Sequence, residues 1–284
     1  MTSRRRNAVG TAVLAATAAA LAVTGPLGQA PAPAAAAAAV GPSGTAAVGT
    51  APVLRIGTAA GDATTYALTT VSVAGSPLAA RWNPCQAQIT VRANVAAAGR
   101  NAAARRSAVR DVKGALARLS AATGMRFVYQ GRTSYVPRGP GWAGANPAEI
   151  VVAWVTPGGR RSSDLLSRSG AGGVAGTGGV AYSMWSGGPG SGAEIGRGYV
   201  VLNAAARQSF KPGFGAGVTR GDLLLHELGH AVGLQHVSSA SEVMYPVIVP
   251  RKVAGYSAGD LAGLAAVGAA AGCIEAPTAV WPDL

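Results

Sequence analysis

Residues 226–236 read His-Glu-Leu-Gly-His-Ala-Val-Gly-Leu-Gln-His and contain all three histidines of this 284-residue chain. If the stretch begins as a helix, His226 and His230 lie one turn apart on the same face, and both imidazoles can reach one metal ion. Glu227 then projects beside them, next to the coordination position that the ion leaves open. The first half of the stretch therefore predicts a metal-binding helix with a carboxylate beside the metal.

The second half of the stretch supplies a turn and a third ligand. Gly233 comes three residues after the second histidine, where a residue free to adopt a positive φ can end the helix and turn the chain back, so that His236 reaches the metal. A lone His-Glu-x-x-His match arises by accident on surface helices, whereas the complete pattern is specific for catalytic zinc. Three neutral imidazoles leave zinc one position for water, and Glu227 is the natural base for that water.

A second motif follows the third histidine. Residues 241–246 read Ser-Glu-Val-Met-Tyr-Pro, with Met244 eight residues beyond His236. Together the two motifs resemble the metzincin clan of zinc metalloendopeptidases and are most similar to the matrixins, of a bacterial secreted type. Met244, which could otherwise be a plain core methionine, would form the hydrophobic floor beneath the zinc site. Ser257 and Asp260 resemble the start of that family's C-terminal helix and also suit a capping box.

The resemblance implies both a fold and an activity. The fold would be an α/β (α+β) catalytic domain with a twisted, mostly parallel five-stranded sheet, an antiparallel edge strand, a zinc-binding helix and a C-terminal helix. The activity would be peptide-bond hydrolysis, in which Glu227 takes a proton from the attacking water and passes it to the leaving amine. The substrate would lie extended along the edge strand near residues 179–185, with residues 246–253 lining the specificity pocket.

The sequence also departs from the family. No histidine is left for the second, structural zinc of matrixins, so we expect one catalytic Zn²⁺ only. Asp164 and Glu194 stand almost alone among glycines, which argues against the family's calcium sites. The surroundings of Cys85 do not match the cysteine segment that keeps matrixins latent. In an exported protein we therefore favour a disulfide between Cys85 and Cys273, from the first core strand to the C-terminal helix, over a latency switch.

Patterns elsewhere agree with an α/β domain. Apolar positions at three- and four-residue spacing predict an amphipathic helix that Gly124 ends. Strand, helix, strand in this order indicates a right-handed crossover. The expected strands are residues 89–95, 125–129, 149–156, 179–185 and 199–203, with a possible strand at 68–73, and the expected helices are residues 102–123 and 219–235.

The N-terminal region suggests export. Arg4 to Arg6 precede an uncharged, alanine-rich stretch, which predicts a signal peptide over residues 1–39, with Sec export as the default and twin-arginine export as the alternative. Residues 40–80 read as a low-complexity linker or short pro-segment, and 81–284 as the catalytic domain. The apolar stretch is too short and too rich in alanine to favour a retained membrane anchor. We expect a secreted monomer, with cell-wall association left open.

Composition excludes several classes of protein. The 24 Lys and Arg residues against 11 Asp and Glu give a net charge of +13, but the bases form no stripe with an aromatic platform, which argues against nucleic-acid binding. Two cysteines cannot build a disulfide-rich scaffold, although they could form one bridge.

Two alternative functions are compatible with the same residues: a zinc amidase that acts on cell-wall peptides, and a secreted zinc-binding module without turnover. The intact Glu227 argues against the second alternative.

Overall fold

The computed structural model describes residues 14–15, 45–48, 63–168, 174–186 and 191–276, with side chains from residue 63 onward. The strands are β1 (Leu14–Ala15), β2 (Thr45–Val48), β3 (Ala67–Leu68), β4 (Thr70–Val73), β5 (Ser76–Ala79), β6 (Ile89–Asn94), β7 (Phe127–Arg132), β8 (Ile150–Val155), β9 (Val174–Trp185), β10 (Gly192–Asn203), β11 (Leu234–Gln235) and β12 (Val247–Ile248). The helices are α1 (Ala102–Thr123), α2 (Asp164–Arg168), α3 (Arg220–Ala231) and α4 (Ala258–Val267), with 3₁₀ turns at Ala204–Ser209 and Ala269–Ala271.

The centre of the fold is a five-stranded sheet in the order β9, β10, β8, β6, β7. Three of the four neighbouring pairs are parallel, and β9 runs antiparallel to β10. This confirms the predicted α/β architecture. Every residue of β8 is buried, because its alternate side chains enter two cores. Ile150, Val152 and Trp154 join the core that includes α1, α3 and α4, whereas Val151, Ala153 and Val155 join a smaller core on the other face.

Short strands extend the sheet beyond β9. β2 lies between β9 and β12, antiparallel to β9 and parallel to β12. β1 also pairs antiparallel with β9, farther along the strand, through Leu14 opposite Tyr182 and Ala15 opposite Ala181. β9 therefore pairs with two segments that precede residue 63 in the sequence.

Helix α1 has the predicted bounds. The side chain of Asn101 accepts a hydrogen bond from the amide of Ala104 at 2.8 Å and caps the first turn. Gly124 ends the helix in the left-handed region, with φ 69°. The buried face, which includes Val112 and Leu116, joins the main core and packs α1 against α3.

Helix α3 is shorter than the predicted helix over residues 219–235. Thr219 caps it, and it ends at Ala231. Gly233 then takes φ 102°, and a Cβ there would lie 2.7 Å from the carbonyl oxygen of Ala80. The next residues form β11, which pairs with β3. The apolar residues after the second histidine therefore form a turn and a strand and do not continue the helix. The sequence did not reveal this, because the partner strand lies more than 160 residues earlier in the chain.

The amino-terminal border of the fold is more structured than the linker expected over residues 40–80. β4 and β5 form a hairpin. Its turn places Ala74 at φ 50° and Gly75 at φ 85°, the positive dihedrals that tight hairpins require. Val71 and Val73 are buried in the main core. The sequence predicted only a possible strand here and missed the hairpin.

The remaining predicted strands are present with shifted bounds. β9 and β10 have 12 residues each and are longer than the predicted strands at 179–185 and 199–203. The sequence underestimated them because glycines interrupt the apolar pattern in both. β7 begins two residues later than expected and runs to Arg132. Among the described residues, no helix combines the length and apolar character that crossing a membrane requires.

Cys85 and Cys273 form the predicted disulfide, with a Cα–Cα distance of 5.4 Å. It joins the loop before β6 to the segment after α4, and not the strand and helix themselves. Asn83 reinforces this junction, since its side chain donates to the carbonyl of Ile274 at 3.0 Å and accepts from the amide of Ile274 at 3.2 Å. Arg81 also donates to the carbonyl of Gly272 at 2.7 Å. These bonds fix the two ends of the domain to each other.

Candidate active site and metal centre

Three imidazoles, the histidine triad, meet at one point. His226 and His230 come from consecutive turns of α3 and are fully buried, and His236 follows β11 and is half-buried. Their three Nε2 atoms lie 3.1, 3.2 and 3.3 Å from one another. A tetrahedral ion with metal–nitrogen bonds of about 2.0–2.1 Å places its ligand atoms roughly 3.3–3.4 Å apart. The triad therefore has nearly the size of one face of a zinc coordination sphere.

Backbone carbonyls fix the protonation of two of these rings. Nδ1 of His226 lies 2.7 Å from the carbonyl oxygen of Val243, and Nδ1 of His230 lies 2.9 Å from that of Leu234. A carbonyl only accepts, so each Nδ1 carries the proton and, in the neutral ring, each Nε2 presents a lone pair. Two lone pairs 3.2 Å apart cannot hydrogen-bond to each other. The donor set fits a divalent cation.

The electrostatics keep the rings in the form that binds metal. Burial, reinforced by the neighbouring His236, lowers the pKa of His226 to about 3. Burial also lowers the pKa of His236 to about 4 and that of His230 well below its ordinary value. Neutral imidazoles are ligands, whereas imidazolium ions are not. Within the described residues, this is the single cluster of three or more His, Cys, Asp or Glu side chains with ligand spacing.

Glu227 is fully buried where α3 packs on β9. A Cβ on Gly176 would lie 2.7 Å from Oε1 of Glu227, and a Cβ on Gly178 would collide with the carbonyl oxygen of Glu227. Helix and strand can approach this closely because neither strand residue has a side chain. The glutamate carboxylate therefore lies against the backbone of β9. The sequence did not identify these glycines, since their contacts are about 50 residues away in the chain.

Met244 lies against α3. It is buried, and its sulfur occupies the space that a Cβ on Gly229 would need. Gly229 lies on α3 between the two helical histidines. The turn at residues 241–246, here called the methionine turn, therefore packs directly against the backbone that carries them. The sequence placed the methionine there by its spacing but missed the glycine that lets it approach.

Helix α4 supports the methionine turn through Asp260. Its carboxylate accepts hydrogen bonds from the amides of Val243 at 2.7 Å and Met244 at 3.1 Å, and from the amide of Ser257 at 2.9 Å. The predicted capping box between Ser257 and Asp260 is present. Burial raises the pKa of Asp260, and the three backbone hydrogen bonds oppose that shift. Since the carbonyl of Val243 orients His226, a chain of hydrogen bonds runs from α4 to one ring of the histidine triad.

Further charged groups hold the same turn. Glu242 is fully buried, and its carboxylate accepts from the amide of Asp260 at 2.9 Å and the hydroxyl of Ser241 at 3.0 Å. Arg251 donates to the carbonyl of Ser241 at 2.6 Å and to the carbonyl of Glu242. Its guanidinium also lies 4.0 Å from the carboxylate of Asp222 in α3. These contacts anchor the segment over residues 246–253, which the sequence predicted as a pocket wall.

The helix, the turn, the third histidine and the methionine beneath them define a metzincin-like protein with a mixed α/β fold. Comparison with protein families extends this conclusion, because the Matrixin model (Peptidase_M10) matches residues 196–267. The matched region runs from β10 through α4 and contains the histidine triad, Glu227 and Met244. The predicted resemblance to the metzincin clan and the matrixins is thereby confirmed, whereas the bacterial secreted type stays a prediction. A search of curated proteins found no match to the chain.

Proposed function

We propose that this protein is a secreted zinc endopeptidase that hydrolyses peptide bonds of extended protein segments. The observation that supports it most strongly is the arrangement of three Nε2 lone pairs at zinc spacing. Glu227 lies between this histidine triad and a sheet edge that can pair with a peptide. The matrixin match supports a zinc-dependent peptidase. The predicted signal peptide and the disulfide support export.

Each part of the site has a role in the proposed reaction. Zinc held by the histidine triad would polarise the scissile carbonyl and lower the pKa of a water molecule. Glu227 removes a proton from the attacking water and delivers it to the amine that leaves. Burial of this carboxylate at the strand backbone excludes bulk water and keeps it within reach of a bound peptide. Asp260 and Val243 hold His226 in the ligating tautomer.

The cleft offers two backbone partners for a substrate. β9 provides one side, and β12, in the segment after the methionine turn, provides the other. A peptide that adds as a strand gains main-chain hydrogen bonds whatever its side chains, so pockets alone set specificity. The glycines on β9 bring such a peptide close to Glu227.

The test is a Glu227→Gln variant assayed on denatured casein. We expect turnover to fall by roughly 10²- to 10⁴-fold, because the variant keeps its size but loses the base. Zinc bound per molecule should stay near one, and the exposed Glu275→Gln variant should keep full activity. Unchanged turnover in Glu227→Gln would refute the mechanism. Release of peptides from purified cell walls, with none from casein, would favour the amidase alternative.

A further inference from the structure

A cavity lies at one end of the central sheet, where the parallel strands β6, β7 and β8 have their carboxyl ends. It consists of two adjoining spaces of about 260 and 380 Å³, which share Asn94, Ala96 and Arg161. We propose that this cavity, the arginine cavity, is a second ligand site, which binds a tetrahedral oxyanion of the phosphate or sulfate class. The inference goes beyond the proposed peptidase function and involves none of the residues of the metal centre.

The topology of the sheet creates the arginine cavity. β6 and β8 are parallel neighbours, but the chain leaves their carboxyl ends toward opposite faces of the sheet. After β6 it continues into α1, which packs in the main core, and after β8 it continues into α2, whose Leu165 and Leu166 pack in the smaller core. Such a switch point leaves a crevice between the two strand ends, and open α/β sheets bind ligands in this crevice.

Guanidinium groups dominate the lining of the cavity. Four arginines from three separate parts of the fold line it: Arg105 near the start of α1, Arg132 at the end of β7, and Arg160 and Arg161 after β8. Among the described residues, no Asp or Glu lines it, and the ion pairs of arginines in this part of the chain lie elsewhere, at Arg220 and Arg251. The cavity therefore concentrates positive charge, which attracts an anion.

Neutral donors and a buried asparagine complete the lining. Thr133, Ser134 and Thr156 line the same cavity and add hydroxyl groups. Asn94 is buried, and its side chain donates to the carbonyls of Ser134 at 3.0 Å and Tyr135 at 3.1 Å. These bonds fix the segment after β7 to the end of β6, so part of the wall is held in place without a ligand.

The charge of the lining favours a tetrahedral oxyanion over a carboxylate. A guanidinium donates two parallel hydrogen bonds to a phosphate, and a phosphate or sulfate dianion can accept such bonds from several sides at once. A carboxylate offers one charge and two oxygens in one plane. Arg132, Arg160 and Arg161 are exposed, so the cavity is accessible to a free ion and also to the same group carried by a polymer.

The first experiment titrates the zinc-loaded protein with inorganic sulfate, inorganic phosphate and acetate, and follows the backbone amide signals by NMR. We expect sulfate and phosphate to shift the signals of Thr133, Ser134 and Thr156, and acetate to bind about tenfold more weakly or worse. Equal affinity for acetate, or shifts confined to the histidine triad, would overturn the proposal. The test does not use casein hydrolysis, so this proposal and the peptidase function fail independently.

Polymers separate the two sources of the ligand. Dextran sulfate and polyphosphate are titrated in the same way as the inorganic ions. Binding that is tighter for each group on the polymer than for the free ion supports a polymer-bound ligand, because neighbouring groups are held near the site. Equal binding supports the free ion. The site stands in both cases, whereas no binding of any of these anions would refute it.

The second experiment removes the charge of the cavity. Arg132→Ala/Arg161→Ala removes two lining guanidinium groups, and Arg110→Ala/Arg126→Ala removes the same charge from exposed positions outside the lining. We expect the first double variant to bind sulfate about 100-fold more weakly or worse, since each lost hydrogen bond to a charged group costs about tenfold or more, and the second to lose less than about threefold. Arg161→Lys should also bind more weakly than wild type, because it keeps the charge but loses the fork. Equal losses in the two double variants would show a general attraction of charge and overturn the proposal.

Discussion

Loss of the Asp260 carboxylate should weaken both the fold and the metal site. In Asp260→Ala, the amides of Val243 and Met244 lose their acceptor in a buried turn. Each buried amide that is left without an acceptor costs about 1–3 kcal/mol, so the free energy of unfolding should fall by roughly 2–6 kcal/mol. Asp260→Asn keeps one oxygen and should lose about half as much. Zinc affinity should fall by about 10- to 100-fold, because the carbonyl of Val243 no longer orients His226 as well.

Two measurements check this prediction. Urea unfolding of the metal-free proteins gives the loss of stability, and zinc titration against a competing chelator gives the affinity. Glu275→Ala is the control, since it removes an exposed carboxylate from the same end of the chain and should change neither quantity. The reasoning is refuted if Asp260→Ala unfolds within 1 kcal/mol of the wild type, or if it is destabilised but binds zinc as tightly as the wild type.

Three further predictions concern the disulfide, the methionine turn and acid. Replacing Cys85 and Cys273 by serine should cost about 2–5 kcal/mol, because the bridge closes a loop with a sequence separation of 188; equal urea midpoints for both proteins would contradict this. Gly229→Ala should cost about 1–3 kcal/mol, since its Cβ meets the sulfur of Met244, whereas Gly255→Ala, with open space around it, should cost little. Acid should destabilise the metal-free protein: the histidine triad has lowered pKa values, about 3 and about 4 for two members. Unfolded histidines take up protons near pH 6.5, so this stability is present above that pH and is lost as pH falls through about 4. A urea midpoint that stays flat from pH 7 to pH 4, or falls equally in a variant with the triad replaced by glutamine, would contradict the assignment.

Local spacing explains why the sequence located so much of the site. The three histidines, Gly233 and Met244 all lie within 19 residues, so helix geometry and one turn bring them together without long-range information. The disulfide was also predictable, because the chain has only two cysteines. Helix α1 was predicted with its exact bounds, since its cap, apolar face and terminal glycine are all encoded nearby.

The parts that the sequence missed depend on distant contacts. The helix expected to reach residue 235 ends early because Leu234 pairs with Leu68. The absence of a side chain at Gly176 lets the Glu227 carboxylate lie against β9. The residues around Gly176 in the sequence do not reveal that Glu227 is its neighbour in the fold. The hydrogen bonds of Asp260 to the methionine turn cross 16 and 17 residues, although its capping role was visible locally. Residues that connect separate helices and strands could be identified only from the folded structure.

The disulfide has a consequence for a protein that is exposed to its own activity or to that of other peptidases. Cys85 precedes β6, and Cys273 follows α4, so the metal centre and the central sheet lie between them. A single cut in any loop of that span produces two chains that remain covalently joined. The pieces therefore cannot diffuse apart, and the core contacts can keep a nicked domain assembled. Cuts before Cys85 instead leave an amino-terminal fragment that has no covalent link to the domain. The position of a cut relative to Cys85 and Cys273 thus decides whether the fragments stay covalently joined.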